Sequence, residues 1–410
     1  MLVAFGKYLK ILRDRRKMSL SDVVTLTKSY PEPVGKGYLS RVERGLARVG
    51  FSKMVALSRA YEVSLDALGE KLALDLEVDA LKNAPNTNGK TFGELTEEGV
   101  AFNQRGMRWH CYASIRDALP RAAADPLHAG YGSHREQITR AVLSHGVAAR
   151  LTGRDALAFV ELEHVRRNAD ALNKESVSVV FEQLANVKLR FGEVEEAKAL
   201  SERAVALANE APTKRNLGDA LDTRARLACH LNDRESGIAD YKLAFAAYKA
   251  VGRDSDCART MNNLAQCYFD AGRYRGARRA LSAADRLATK SSADAVRARS
   301  RVLLGEIEAI DGNPTKASAL WHDAMEIARR TRDTVVHFKA EFQVFKLLIA
   351  QGNSTAANAF GRRLNRMRPW ISRSEPEVVE FAQLFELHKK PKQRGVAKSQ
   401  HEHPAGGNTG

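Results

Sequence analysis

Asn186, Arg226, Gln266, Glu306 and Lys346 recur at intervals of 40 residues, with Gln183, Asn262, Asn263 and Gln343 on adjacent rows. An amide side chain carries both a donor and an acceptor, so such a row can pair with the backbone of an extended peptide. The arginine and lysine add charge for an acidic side chain or a terminal carboxylate. This is recognition chemistry rather than bond-making chemistry. Phosphate-cradling G-x-x-x-x-G-K, zinc-binding H-E-x-x-H and nucleophile-elbow G-x-S-x-G patterns are missing, so no enzyme is expected. Glu195 and Glu196 read as a solvated helix face.

Trp109, His110, Cys111 and Tyr112 are consecutive. On a helix they point in different directions, and packing is the expected role. The four cysteines, Cys111, Cys229, Cys257 and Cys267, lack metal-type spacing. No metal or cofactor is therefore expected. Cys229 and Cys267 fall in neighbouring repeats and could approach each other, but small core fillers in a reducing compartment are the expectation. No apolar run reaches the roughly 18 residues of a membrane helix, and MLVAFGKYLKIL is broken by Lys7 and Lys10. A cytoplasmic protein that neither is exported nor spans a membrane is expected.

The polar row belongs to a repeat. Gly192, Asn232, Gly272, Gly312 and Gly352 share one register, each followed five residues later by Ala197, Gly237, Ala277, Ala317 or Ala357. Further on stand Ala204, Ala244, Ala284, Ala324 and Leu364; before the turn stand Ala185, Ala225, Ala265, Gly305 and Phe345. Small residues in one register imply closely packed helices, and a unit of this length with a central turn is a helical hairpin that buries its apolar stripe only against its neighbours. A right-handed stack of helix pairs follows, its first helices carrying the polar row. Tyr248, Trp321 and Phe245 are expected in the core. The unit NNLAQCYFDAGRYRGARRALSAADRLA resembles the tetratricopeptide repeat through Leu264, Ala265, Tyr268, Gly272, Tyr274, Ala277, Leu281 and Ala284. Long-unit arrays of this kind resemble those of peptide-sensing, RRNPP-type bacterial regulators, whose groove asparagines hold the peptide. That resemblance covers 135–388, with a degenerate first unit at 141–164 and a capping helix at 375–388.

Charge points to a polyanionic partner. The net charge is +16, and residues 1–69 alone carry 13 Lys and Arg against 6 Asp and Glu. Phe5, Leu9 and Leu12 give a first helix through Arg16. Ser19 with Asp22 is a capping-box start, and Val23, Val24 and Leu26 supply the second helix's buried face. YLSRVERG is a short helix ended by Gly45, and two further helices follow at 52–61 and 64–72.

The series LRDRRKMSLSDVV, YLSRVERG and MVALSRAYEVSLDAL resembles the lambda-repressor-like (XRE) helix-turn-helix family over residues 4–69. The resemblance implies an ion pair between Arg13 and Glu43 and a third helix in the DNA major groove. It places Lys36, Gly37, Tyr38 and Arg41 toward base edges, with Ser40 near backbone or base. Phosphates would be met at Ser19 and Ser21, and by Arg44 and Arg48. An arginine suits such a site, since it can donate two hydrogen bonds to guanine O6 and N7. The chain departs from the family in the long turn at 28–37, stiffened by Pro31 and Pro33. That turn either adds a phosphate contact through Lys28 or Lys36 or is a solvent loop.

The expectation is an all-α chain: a five-helix DNA-binding domain at 1–72, a connector at 73–134 broken by a flexible segment at 83–89, a repeat domain at 135–388, and a disordered basic tail at 389–410. Its function would be that of a DNA-binding transcription regulator whose repeats dimerise and sense a peptide or protein effector. The competing reading is a scaffold that docks protein partners through both parts. Thirteen basic residues in so short a module favour DNA.

Overall fold

The computed structural model describes residues 3–104, 107–122, 133–331, 333–371 and 376–389. Among these residues there are 20 α-helices and no strand. The chain divides into two compact bodies, Met1–Arg273 and Tyr274–Gly410.

The first body opens with five helices: α1 (Val3–Arg15), α2 (Leu20–Thr27), α3 (Lys36–Glu43), α4 (Phe51–Ala60) and α5 (Leu65–Asp79). Phe5, Leu9 and Leu12 are buried in α1, as their helical spacing requires. The capping box forms: the Asp22 amide donates to Ser19 Oγ at 3.2 Å, and the Ser19 amide donates to Asp22 Oδ2 at 2.7 Å. The buried face of α2 differs from expectation. Val23 is fully buried and Val24 partly, whereas Leu26 is 51% exposed and Thr27 takes the inward position. Thr27 can do so because its hydroxyl donates to the Val23 carbonyl within its own helix and accepts from the Val34 amide.

That last bond explains the long turn. Val34 is fully buried, so the excursion is anchored to the core at its far end and fastened to α2. The helix it leads into, α3, ends in a Schellman arrangement: the Leu46 amide donates to the Arg41 carbonyl and the Gly45 amide to that of Val42, both at 2.8 Å. Gly45 has φ +75°, and a Cβ there would lie 2.8 Å from Val3 Cα. The fifth helix, α5, runs unbroken through Leu72 and Leu76 to Asp79.

The connector supplies α6 (Phe92–Gln104) and α7 (Arg108–Ala118). Segment 83–89 is fastened rather than free, contrary to expectation. Thr87 Oγ1 donates to Asp117 Oδ2 at 2.8 Å, Arg121 donates to the Thr87 carbonyl, and His110 Nε2 is paired with the Asn83 carbonyl. Cys111 and Tyr112 are buried and Trp109 and His110 half-buried, so this run packs on several sides as its helical spread implied. No metal-holding group of His, Cys, Asp and Glu is found among the described residues.

Hairpins follow: α8 (His134–Leu151) with α9 (Asp155–Arg167), α10 (Lys174–Arg190) with α11 (Val194–Glu210), and α12 (Leu217–His230) with α13 (Arg234–Ala250). Helix α14 (Asp254–Asp270) packs on α13 and completes the first body. The degenerate first repeat is thus a complete hairpin. The second body holds α15 (Tyr274–Lys290), the pair α16 (Asp294–Ile310) and α17 (Pro314–Thr331), and the pair α18 (Thr334–Ala350) and α19 (Ser354–Met367). It ends with the expected capping helix, α20 (Pro376–Lys389). Beyond Lys389 the basic tail, with His401 and His403, lies outside the described residues.

The turn column has one physical cause. Gly192, Asn232, Gly272, Gly312 and Gly352 all have positive φ, from +64° to +80°, a region open to glycine and tolerated by asparagine. The small columns are buried, and their irregularities are compensated locally. Gly305 stands where other units have alanine because a Cβ there would meet Trp321 Nε1 at 2.3 Å. Phe345 stands in the same column beside Gly361, where a Cβ would lie 2.4 Å from the Phe385 ring and 3.2 Å from that of Phe345. Tyr248 and Trp321 are core residues, and Phe245 is half-buried.

Candidate functional site

The α2–α3 face presents the expected basic groups. Lys36, Gly37, Arg41, Arg44 and Arg48 are exposed, Ser40 is half-buried, and Leu39 and Val42 point into the core with no measurable exposure or 1%. The scaffold under α3 is the bidentate pair foreseen from the sequence: Arg13 Nε donates to Glu43 Oε1 at 2.7 Å and Nη2 to Oε2 at 2.9 Å. Arg13 also donates to the Met18 carbonyl, so one side chain sets the α1–α2 turn and the end of α3 together. Gly6 allows this closeness, since a Cβ there would lie 2.1 Å from the Val42 carbonyl oxygen.

Two expected contacts are placed differently. The Tyr38 hydroxyl donates to the Arg48 carbonyl at 2.6 Å, and Lys53 Nζ lies 5.0 Å from the centre of its ring. Tyr38 therefore braces the loop that carries Arg48 instead of reaching freely outward. At the start of α2, the Ser19 amide is taken by Asp22, whose carboxyl that bond holds below its usual range. A carboxylate on that amide repels an anion, and Ser21 beside it is exposed.

Beneath this module lies a cluster that the sequence reading missed. Glu161 of α9 is fully buried and accepts from the Tyr8 hydroxyl at 2.7 Å and from Arg15 Nη2 at 2.9 Å, both on α1. His145 Nδ1 of α8 lies 3.6 Å from Glu161, and its ring stacks on Tyr112 of α7 at 4.8 Å. Beside it, buried Lys71 and Asp75 of α5 pair at 2.5 Å, and Lys71 lies over the Tyr8 and Tyr112 rings. Burial alone would raise the Glu161 carboxyl, but Arg15 and His145 more than reverse it, holding it well below the usual range. Burial lowers both Lys71 and His145. Five helices are thus joined through charges that are buried, except for Arg15, which is partly so. The i,i+4 spacing of Lys71 and Asp75 was the one available signal in the sequence; the Tyr8, Arg15 and Glu161 partnership, more than 140 residues apart, has none.

The polar row is assembled in part, and its members are already paired. In the first body, Asn186 Nδ2 donates to Glu182 Oε1 at 2.6 Å and to Thr223 Oγ1 at 3.3 Å, while its oxygen accepts from Arg226. Gln183 sits between Arg150 and Glu182, accepting from the first and donating to the second. One unit on, Asp222 accepts from Arg259 at 3.0 Å and from Thr260 at 3.0 Å, with Asn263 Nδ2 at 3.5 Å. Gln266 donates to Asp270 within its own helix. Asn262 is half-buried on the same helix and also engaged. The expected amide and basic ladder is therefore internally paired in two sets, one across α8, α10 and α12 and one across α12 and α14, because buried amides and charges must satisfy one another.

Glu306, Gln343 and Lys346 belong to the second body. Gln343 is buried; Lys346 donates to Glu380 at 3.3 Å and lies over the Phe342 ring. Glu306 is half-buried, and desolvation pushes its carboxyl up to about 7, against the pull of Lys346 and Lys339 and with added repulsion from Glu377 and Glu380.

Residues 4–70 match the model of a helix-turn-helix domain. No curated protein matches the chain in sequence. The chain is similar in fold to the crystal structure of the apo form of RapI, at 12% identity and a TM-score of 0.54 over 72% of this chain and 81% of that one. It is also similar to the Rap conjugation gene regulator of plasmid pLS20 in complex with the Phr* peptide, at 12% identity and a TM-score of 0.50 over 90% and 98%. A looser likeness, TM-score 0.43 at 11% identity, covers 73% of this chain and 99% of Bacillus thuringiensis PlcR in complex with the peptide PapR7 and DNA. The N-terminal module is a helix-turn-helix domain, and the helical pairs behind it have the tetratricopeptide-like solenoid fold.

Proposed function

We propose that this chain is a DNA-binding transcription regulator whose repeat region dimerises and responds to a peptide or to the extended segment of a protein partner. The observation that carries the reading is the exposed basic surface of α3 and the segment after it, with Lys36 and Arg41 on the helix, Arg44 and Arg48 beyond its end, and the helix fixed from beneath by Arg13 and Glu43. A module built only for protein contacts gains nothing from this positive surface. Arg41 is the base reader: Arg41→Ala should cost about 1–3 kcal/mol at the operator and leave non-specific binding nearly unchanged. Titrations on operator and competitor duplexes check this; equal loss on both would reject base reading by Arg41. The operator should carry paired half-sites roughly 34–36 Å apart or a multiple of that. Sedimentation showing a monomer on DNA would reject the dimer.

The effector reading rests on the prepaired network of the first body. The plasmid pLS20 regulator of similar fold is solved with a peptide, and here the amide and charge network offers a peptide backbone alternative partners. An effector must bind the DNA-competent and DNA-incompetent states unequally, and a coupling of about 1–3 kcal/mol changes operator affinity roughly 5- to 150-fold. Joint replacement of Asn186 and Asn263 by alanine should abolish regulation in cells while operator affinity of the purified protein stays within about twofold. Retained regulation would leave the network a purely structural brace and favour the scaffold reading.

A further inference from the structure

The packing of α12 against α14 contains two thiols where other units place apolar side chains. Cys229 donates toward the Cys267 sulfur at 2.8 Å, and neither is in a disulfide. The register-equivalent pair one unit earlier is Leu189 and Leu227, and two units later it is Ala309 and Leu347. The surroundings are adapted to the sulfurs. At the small position where four units have alanine this unit has Gly237, and a Cβ there would lie 2.4 Å from Cys229 Sγ. Cys229 is half-buried and reachable from solvent, while Cys267 is 2% exposed, its sulfur 3.7 Å from the Arg234 carbonyl. The Cys229 hydrogen bond lowers the Cys267 thiol, with the Arg234 charge adding to the effect, and the same bond raises Cys229.

We propose that Cys229 and Cys267 form a reversible oxidation site, a dithiol that reacts with hydrogen peroxide and closes a disulfide between α12 and α14. Cys229 donates its proton toward Cys267, so charge rests on the Cys267 sulfur and the proton stays on Cys229. The Cys267 thiolate attacks peroxide: an S–O bond forms, the O–O bond breaks, and the departing hydroxide takes a proton to become water. The Cys229 sulfur then attacks the sulfenic acid, the S–S bond forms, and hydroxide leaves with the Cys229 proton as a second water. Two thiols and one peroxide give one disulfide and two waters. An S–S bond of about 2.0 Å needs the sulfurs to close by less than about 1 Å, so the helices need little rearrangement. The product ties the first helix of one repeat to the first helix of the next.

The test uses reduced full-length protein treated with one equivalent of hydrogen peroxide, alkylated under denaturing conditions and mapped by peptide mass spectrometry. Two thiols should disappear together, accounted for by one 229–267 cross-linked peptide and restored by dithiothreitol. Buried Cys111, its thiol pushed up to about 12, should remain alkylatable, as should Cys257. Cys229→Ala should lose the cross-link and, by removing the hydrogen bond that lowers the Cys267 thiol, slow peroxide consumption roughly tenfold. Gly237→Ala, which displaces the Cys229 sulfur, should slow cross-linking several-fold, and the same change in the Cys229→Ala background should fold normally, since alanine is the ordinary residue there. Thiol loss spread evenly over all four cysteines, a cross-link through Cys111 or Cys257, or undiminished peroxide consumption by Cys229→Ala would overturn the proposal. This readout needs no DNA, so its outcome is separate from that of the regulator reading.

Discussion

Glu161→Ala is expected to destabilise the full chain by about 3–5 kcal/mol, the usual cost of leaving a buried charge without its partner. Here the orphan is Arg15, whose guanidinium is oriented by both Glu161 oxygens, and the Tyr8 hydroxyl loses its acceptor as well. Urea unfolding at pH 7 reads the loss. A change under 1 kcal/mol would mean that water reaches the cluster and compensates it. Acid should act in the same direction. The Glu161 carboxyl is depressed in the fold, so its contribution is present above the unfolded value near 4.5 and is lost as pH falls through the folded one. Buried His145 is likewise lowered, so the unfolded chain takes up its proton first, and stability declines as pH drops below about 6.5. His145→Phe should flatten that upper part of the acid slope. Because Glu161 and His145 lie on the first hairpin and Tyr8 and Arg15 on the first helix of the DNA-binding module, the same variants should loosen the module's seat on the repeats. Faster amide exchange in α1 would report this.

Glu306→Gln should have the opposite sign and the opposite pH window. The Glu306 carboxyl is raised from 4.5 to about 7 by burial, so the fold's preference for its neutral form holds fully below the unfolded value and is lost as pH rises through about 7. At pH 8 the wild-type chain must keep a poorly solvated carboxylate there. Replacing it with a neutral amide should stabilise the protein by about 2 kcal/mol at pH 8, somewhat less than the shift alone implies because part of the side chain reaches solvent and its two lysine neighbours lose a counter-charge. At pH 4, where the carboxyl is largely neutral in both states, the variant and wild type should unfold alike. Denaturant midpoints at the two pH values decide it, and an equal effect at both would show that titration is not the cause. If the stabilised variant also loses effector response in cells, Glu306 acts in recognition; a preserved response confines it to the packing of the second body.

Much of this molecule is legible from local pattern because its physics is local. The left-handed turns at Gly192, Asn232, Gly272, Gly312 and Gly352 restrict the residue type at each position, so the repeat appears in the chain as a period. The Ser19–Asp22 box and the Gly45 cap were readable for the same reason, since each involves neighbours within a few residues. The Arg13–Glu43 pair was reachable only through the resemblance to the helix-turn-helix family, which supplies the pairing that spacing alone does not. What tertiary structure decided was partnership. Amides look available in a sequence, but Asn186 and Gln183 are consumed by Glu182, Arg150 and Arg226 once their helices meet, because a buried donor or acceptor without a partner is costly. Tyr38 turns inward to the Arg48 carbonyl, and Val34 converts an apparent solvent loop into an anchored one. The ionic cluster around Glu161 and Lys71 leaves almost no pattern in the sequence, because burial sets its energetics and burial is known only when five separate helices have packed around it.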